Sequence, residues 1–308
     1  MAANIEKVVD RLESLLARIE TQLPASNAPP DWKKFIAFRW RRSTSMFGNR
    51  GHLAGVAHPH QITFNDLKDI DGQKSRLEAN TRQFVQGKSA NNILLTGARG
   101  TGKSSLVKAA LQRFAKDGLR LIEVDRGDLL DLPEIADLIA GCPERFIIFS
   151  DDLSFEANDP GYKALKSVLD GGISATNDNL LVYATSNRRH LMPEKMSENL
   201  ETKHTEDGEI HPGETTEEKI SLSERFGLWL SFYPFAQQEY LDIVDHWVAS
   251  LAGVKNLNPD AMHKAALLWA LERGSRSGRV AYQFARDWAG QHRQATKKVA
   301  AKKSPRRK

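Results

Sequence analysis

Gly97-Ala98-Arg99-Gly100-Thr101-Gly102-Lys103-Ser104 constrains this chain more than any other segment, because it sits between an apolar run, Asn91 to Gly97, and a helix-forming stretch from Ser104 to Ala115. In a GxxxxGK[ST] pattern between strand and helix, the glycines let successive backbone N–H groups curl around phosphate oxygens. The positive end of the following helix reinforces them. Gly97, Ala98, Arg99, Gly100, Thr101, Gly102, Lys103, Ser104 and Ser105 are therefore the nucleotide-binding candidates. Lys103 reaches the β- and γ-phosphates of ATP, and the Ser104 hydroxyl ligates Mg²⁺.

The surroundings of this loop predict an α/β fold with a parallel sheet in three layers. NNILLTG, LRLIEV, RFIIFS, NLLVYATS and GLWLSFY are short apolar runs without polar alternation. A helical pattern precedes them over residues 69–85, and others lie between them over 104–115, 133–140 and 162–169. Strands buried on both faces read this way. After Pro234 the pattern is helical only, over residues 236–251, 259–272 and 279–292, which predicts a small all-helical second domain. The organisation expected is an amphipathic helix at 1–23 and a linker with a basic aromatic segment at 24–65. A nucleotide-binding domain follows at 66–234, then a helical domain at 235–293 and a basic disordered tail at 294–308. In the 24–65 segment the rings are expected to pack and the charges to stay in water, rather than stack on bases.

Two carboxylates complete the chemistry. FIIFSDDL is a buried strand ending in acids, which places Asp151 and Asp152 at the carboxyl edge of the sheet, beside the phosphates. Asp151 is the candidate to hold Mg²⁺ through water, and Asp152 to polarise the attacking water, with Glu156 as the alternative base. The next strand ends at Asn187, whose amide is placed to hydrogen-bond a γ-phosphate or orient that water.

Composition limits the other classes. The single cysteine, Cys142, rules out an intramolecular disulfide, and no apolar run approaches the roughly 18 residues of a membrane span. The opening residues are unlike a secretory signal, so a cytoplasmic location is expected. The net charge of +5 is segregated: residues 297–308 hold seven Lys or Arg and no acid, whereas 194–219 hold nine acids and three lysines. The tail is thus free to attract a polyanion through weak, sequence-independent nucleic-acid binding; composition alone fits a solvated tail with no partner equally well.

GARGTGKS, FIIFSDD and ATSN, in this order and spacing, resemble Walker A, Walker B and sensor 1 of the AAA+ ATPases. The resemblance covers residues 66–292 and implies further assignments. SERFG resembles the segment whose arginine reaches a neighbouring subunit's nucleotide, which nominates Arg225. GSRSGRVA resembles sensor 2, nominating Arg279 or Arg276. DIDGQ resembles the segment lining the adenine pocket, with Ile70 as the contact. A homo-oligomer, ring or similar, and ATP hydrolysis that remodels or loads a macromolecule are implied as well. YKALKSVLDGG, YATSNRRHLMPE and EKISLSERFGLWLSFYPF resemble domain of unknown function 815, a bacterial family within AAA+. Asp152 departs from the usual Glu of Walker B, and its shorter reach bears on the hydrolysis rate. A slow nucleotide-controlled switch on nucleic acid is the alternative. A small-molecule kinase would share the loop but give no role to Arg225 or Arg279.

Overall fold

The computed structural model describes residues 30–45, 48–155, 159–170, 178–187, 222–252 and 259–302, with the short stretches 11–13, 203–204 and 210–211. Most of the helix expected at 1–23, Glu156, most of the acidic segment 194–219 and the last residues of the tail lie outside these.

Seven strands form the main sheet: β1 (Ala37–Ser45), β2 (Gly48–Gly55), β3 (Ile93–Gly97), β4 (Leu119–Glu123), β5 (Arg145–Ser150), β6 (Leu180–Ser186) and β7 (Leu228–Phe232). Their spatial order is β2-β1-β4-β5-β6-β3-β7, parallel throughout except for the antiparallel β1–β2 hairpin. Side chains alternate across a strand, so both halves of each apolar run must find cover. In β5, Ile147 and Phe149 join Ile93, Leu95 and Tyr183 on one face. Helices α1 (Asp71–Val85) and α2 (Lys103–Phe114) cover that face through Leu77, Phe84, Leu106 and Val107. Phe146 and Ile148 join Leu94, Ile122 and Val182 on the other face, under α3 (Leu132–Ile139) and α4 (Pro160–Leu169). This is the three-layer α/β architecture read from the sequence.

The segment expected as a linker supplies two of the strands, so the sheet begins at Ala37 rather than after residue 66. Its period of two explains this. Phe38 and Trp40 point inward and are fully buried, while Arg39 and Arg41 point outward. The β2 partner strand has glycine where the rings need room: a Cβ at Gly51 would sit 1.7 Å from Trp40 Cζ2, and one at Gly55 2.4 Å from Phe35 Cδ2. The rings pack as expected, but two of the charges are not simply solvated. Arg39 Nε donates to Glu123 Oε2 at 2.9 Å, and Arg42 forms a fork onto Asp131, Nε to Oδ2 at 2.7 Å and the terminal nitrogen to Oδ1 at 2.8 Å.

Among the described residues, the chain after β7 forms three helices, α5 (Gln237–Ala252), α6 (Pro259–Glu272) and α7 (Gly278–Lys302). Tyr240, Val244, Ala266, Ala281 and Phe284 form their shared core, continuous with the α1/α2 face of the sheet. The backbone of α7 stays helical to Lys302, past the boundary at which the tail was expected to begin. Among the described residues, no helix is long and apolar enough to cross a membrane.

Candidate functional site

The carboxyl ends of three adjacent strands, β5, β6 and β3, meet where the glycine loop turns from β3 into α2. Gly97, at φ 123°, can turn there only without a side chain, since a Cβ would lie 1.9 Å from the Phe232 carbonyl oxygen of β7. That same oxygen accepts the Ala98 N–H at 3.1 Å. Gly100 and Gly102 are also left-handed, at φ 75° and 98°, and the Thr101 hydroxyl donates to Ala98 O at 2.8 Å to close the curl. No acid lies in the first turn of α2 and no side chain caps it, so its positive end, at Lys103, Ser104 and Ser105, keeps the polarity that suits an anion. Ile70, which is buried, lies behind the loop with Leu67: a Cβ on Gly102 would be 3.6 Å from Ile70 Cδ1 and 3.7 Å from Leu67 Cδ2.

Lys103 is only 6% exposed, and its ammonium donates to Gly97 O at 2.8 Å, Ala98 O at 2.7 Å and Asn187 Oδ1 at 3.0 Å. Burial holds its pKa below the ordinary lysine value; Asp151 and Asp152 oppose the shift, and Arg99 and Arg279 add to it. The lysine therefore sits in a field it shares with both acids and with an arginine of the loop and one of the helical domain.

The acids are joined to the loop by a closed circuit of hydrogen bonds. Ser104 Oγ and Thr185 Oγ1 both donate to Asp151 Oδ1, each at 2.5 Å. The Asp152 N–H donates to Thr185 Oγ1 at 2.9 Å. Asn187 Nδ2 donates to Asp152 Oδ1, and Asn187 Oδ1 accepts from Lys103, the neighbour of Ser104. Asp152 has φ 54°, a left-handed backbone that costs a non-glycine residue about 1–3 kcal/mol and persists only where its surroundings fix it. Thr185 was not found by sequence reasoning, because one threonine in an apolar strand carries no pattern of its own.

Of the arginines, Arg279 is brought to the loop. The Gly278 N–H donates to Gly100 O at 2.9 Å, and a Cβ on Gly100 would lie 2.8 Å from Ser277 Oγ and 3.5 Å from Arg279 Cβ. The start of α7 thus rests on the glycine loop, and Arg276 is exposed just before it. Arg225 stands outside the circuit, with its Nε 2.5 Å from Asp170 Oδ1 at the end of α4.

The residues present fit a nucleotide phosphate with Mg²⁺. The cradle excludes side chains at Gly97 and Gly100, and the hydroxyl of Ser104 and carboxylate of Asp151 are the hard oxygen donors that Mg²⁺ prefers. A parallel sheet with such a loop, acids on the next strand but one and a helical domain resting on the loop is the AAA+ type of P-loop fold. The chain belongs to the family described as "Protein of unknown function (DUF815)", whose profile matches residues 33–292. No curated protein matches it in sequence. Among solved structures, Aeropyrum pernix Orc1 in complex with DNA is similar at 17% identity and TM-score 0.54, over 74% of this chain and 61% of that one. A point mutant of Thermotoga maritima RuvB is similar at 16% identity and TM-score 0.50, over 73% of this chain and 64% of that one. The chain thus spans less than two thirds of the length of either, and the likeness is one of fold.

Proposed function

We propose that this protein binds Mg-ATP and hydrolyses it, using the energy to remodel or load a macromolecule as part of a homo-oligomer. The observation that carries this reading is the closed circuit Lys103–Asn187–Asp152–Thr185–Asp151–Ser104, in which a cation, two acids and an amide stand around the glycine loop. Lys103 and the N–H groups of residues 99–105 bind the phosphates, and Ser104 and Asp151 hold the metal. Mg²⁺, when bound, neutralises charge on the transferred phosphoryl group. Asp152 polarises the attacking water and Asn187 orients it, while Arg279 approaches the loop from the lid. Ile70, with Leu67 beside it, supplies apolar surface for the base.

One observation favours slow turnover, as in a nucleotide-controlled switch. Asp152 is shorter than Glu, and its Oδ1 already accepts from Asn187. A contribution of Arg39 and Arg42 to nucleic-acid binding is disfavoured, since they are paired with Glu123 and Asp131.

The test is ATP affinity and phosphate release on three proteins. Lys103→Ala should lose ATP binding, because the phosphates lose their main counter-charge. Asp152→Asn should bind Mg-ATP as the wild type does and release no phosphate. Unimpaired turnover in Asp152→Asn would remove Asp152 as the base and leave Glu156. Absence of ATP binding by the wild-type protein would end the reading altogether.

A further inference from the structure

Thr185 lies on β6, one strand away from the glycine loop and one from the acids, and is 1% exposed. Its hydroxyl has one hydrogen and two lone pairs. The hydrogen goes to Asp151 Oδ1 at 2.5 Å, and a lone pair takes the Asp152 N–H at 2.9 Å. Its own main-chain oxygen accepts the Leu153 N–H at 2.7 Å. Three consecutive residues, Asp151, Asp152 and Leu153, are thereby stitched to one threonine, at the point where Asp152 turns left-handed with φ 54°.

We infer that Thr185 is the positioning residue of this site, fixing through its hydroxyl both the rotamer of the metal-holding Asp151 and the backbone orientation that turns Asp152 toward Asn187. The inference rests on the proposed Mg-ATP reading. The physical case is that an exposed carboxylate at a strand end has several rotamers, and the hydroxyl selects one. Threonine suits the task because its branched Cβ restricts χ1, so the hydroxyl is held in place before any ligand arrives. A left-handed aspartate next to it would otherwise relax toward the ordinary β or α regions. Removing the hydroxyl while keeping the shape should therefore loosen the metal site without emptying the nucleotide cradle, which is built by Lys103 and backbone N–H groups.

The test compares Thr185→Val, which keeps the shape, with Thr185→Ser, which keeps the hydroxyl. Mn²⁺ affinity is read by electron paramagnetic resonance in the presence of ATP, and ATP affinity in EDTA is read separately. Loss of a group that orients a metal ligand typically costs about 10–100-fold in metal affinity or activity, so Thr185→Val should weaken Mn²⁺ binding by roughly that factor. ATP affinity in EDTA should change little, and Thr185→Ser should restore Mn²⁺ binding. Should Thr185→Val not fold, as a cooperative melt would reveal, Thr185→Cys replaces it, a side chain of similar size with a poor hydrogen-bonding sulfur. Wild-type Mn²⁺ affinity in the hydroxyl-less variants overturns the inference. So does equal impairment in Thr185→Ser, which would assign the effect to the lost methyl. A wild-type protein that binds Mn²⁺ and ATP but does not hydrolyse overturns only the hydrolysis reading, because the metal affinities still decide Thr185.

Discussion

Arg225 and Asp170 form an ion pair, Nε to Oδ1 at 2.5 Å, that joins the turn before β7 to the end of α4 within one subunit. The two side chains are 24% and 44% exposed, so the pair is partly in water and worth at most about 1 kcal/mol. An arginine that completes a neighbour's site contributes about 10³ to 10⁵ in rate, several times that energy. The pair alone is therefore too weak to cancel a contribution of that size.

Three outcomes follow for Arg225. Arg225→Ala should lose hydrolysis by that large factor, whereas Asp170→Ala should raise it by no more than about fivefold, the rate equivalent of the pair. Mixing Lys103→Ala with Arg225→Ala subunits should restore part of the activity in trans, measured as phosphate release from co-assembled protein. Full hydrolysis by wild-type monomers would dismiss the trans role.

Gly97 is predicted to be irreplaceable on two independent grounds. An alanine there meets the Phe232 carbonyl oxygen at 1.9 Å and must also adopt φ 123°. Gly118 separates the two effects, having φ 90° with nothing near its absent Cβ. Gly118→Ala should cost only the backbone strain, about 1–3 kcal/mol, and bind ATP normally. Gly97→Ala should lose more stability and also lose ATP, since the loop must leave β7. Equal melting temperatures and equal ATP affinity in the two variants would contradict the steric argument.

The tie between the β1–β2 hairpin and the turn before α3 should weaken in acid. Asp131 accepts the Arg42 fork and, at 2.8 Å, Trp40 Nε1. The Arg42 hydrogen bond holds its carboxyl below the ordinary range, against the opposing effect of burial and with help from Trp40. A carboxyl lowered in the fold contributes stability above its unfolded pKa and loses it as pH falls through its folded one. Arg42 is 37% exposed, which screens the pair, so Asp131→Asn should cost about 1 kcal/mol at neutral pH. In urea denaturation, the gap between wild type and variant should be constant from neutral pH to about pH 5 and shrink below about pH 4. A gap that persists unchanged at pH 3 would assign the cost to packing instead.

Residues 297–308, with seven basic residues and no acid, should give weak, sequence-independent binding to duplex DNA. If all seven charges displace counterions, truncation after Thr296 should flatten the slope of log K against log salt by up to about six. ATP hydrolysis should be nearly unchanged, as no candidate site residue lies beyond Arg279. DNA binding of equal strength in both proteins, or in neither, would remove this role from the tail.

The sequence by itself determined whatever is carried by residues close together along the chain. The loop from Gly97 to Ser104 declares itself because its glycines, lysine and serine are contiguous and lie between a strand and a helix. The apolar runs of β3 to β7 and the helices between them are also local, since a strand buried on both faces cannot hide its composition. The acids at the end of β5 and Asn187 at the end of β6 were legible for the same reason, being strand-end residues in a parallel sheet. Only the tertiary structure decided what depends on register between distant segments. Thr185 meets Asp151 across 34 residues of sequence and Ser104 meets it across 47, and nothing near any of the three specifies the other two. The β1–β2 hairpin was obscured because its alternation of rings and arginines resembles a basic surface segment until β4 and the turn before α3 supply Glu123 and Asp131 as partners. Arg225 was nominated only through the resemblance of SERFG to a family segment, and its pairing with Asp170 is set by where β7 and α4 come to lie. Hydrogen bonds of this kind form between whatever side chains the sheet order brings within about 3 Å, and that order is a property of the whole chain rather than of any window within it.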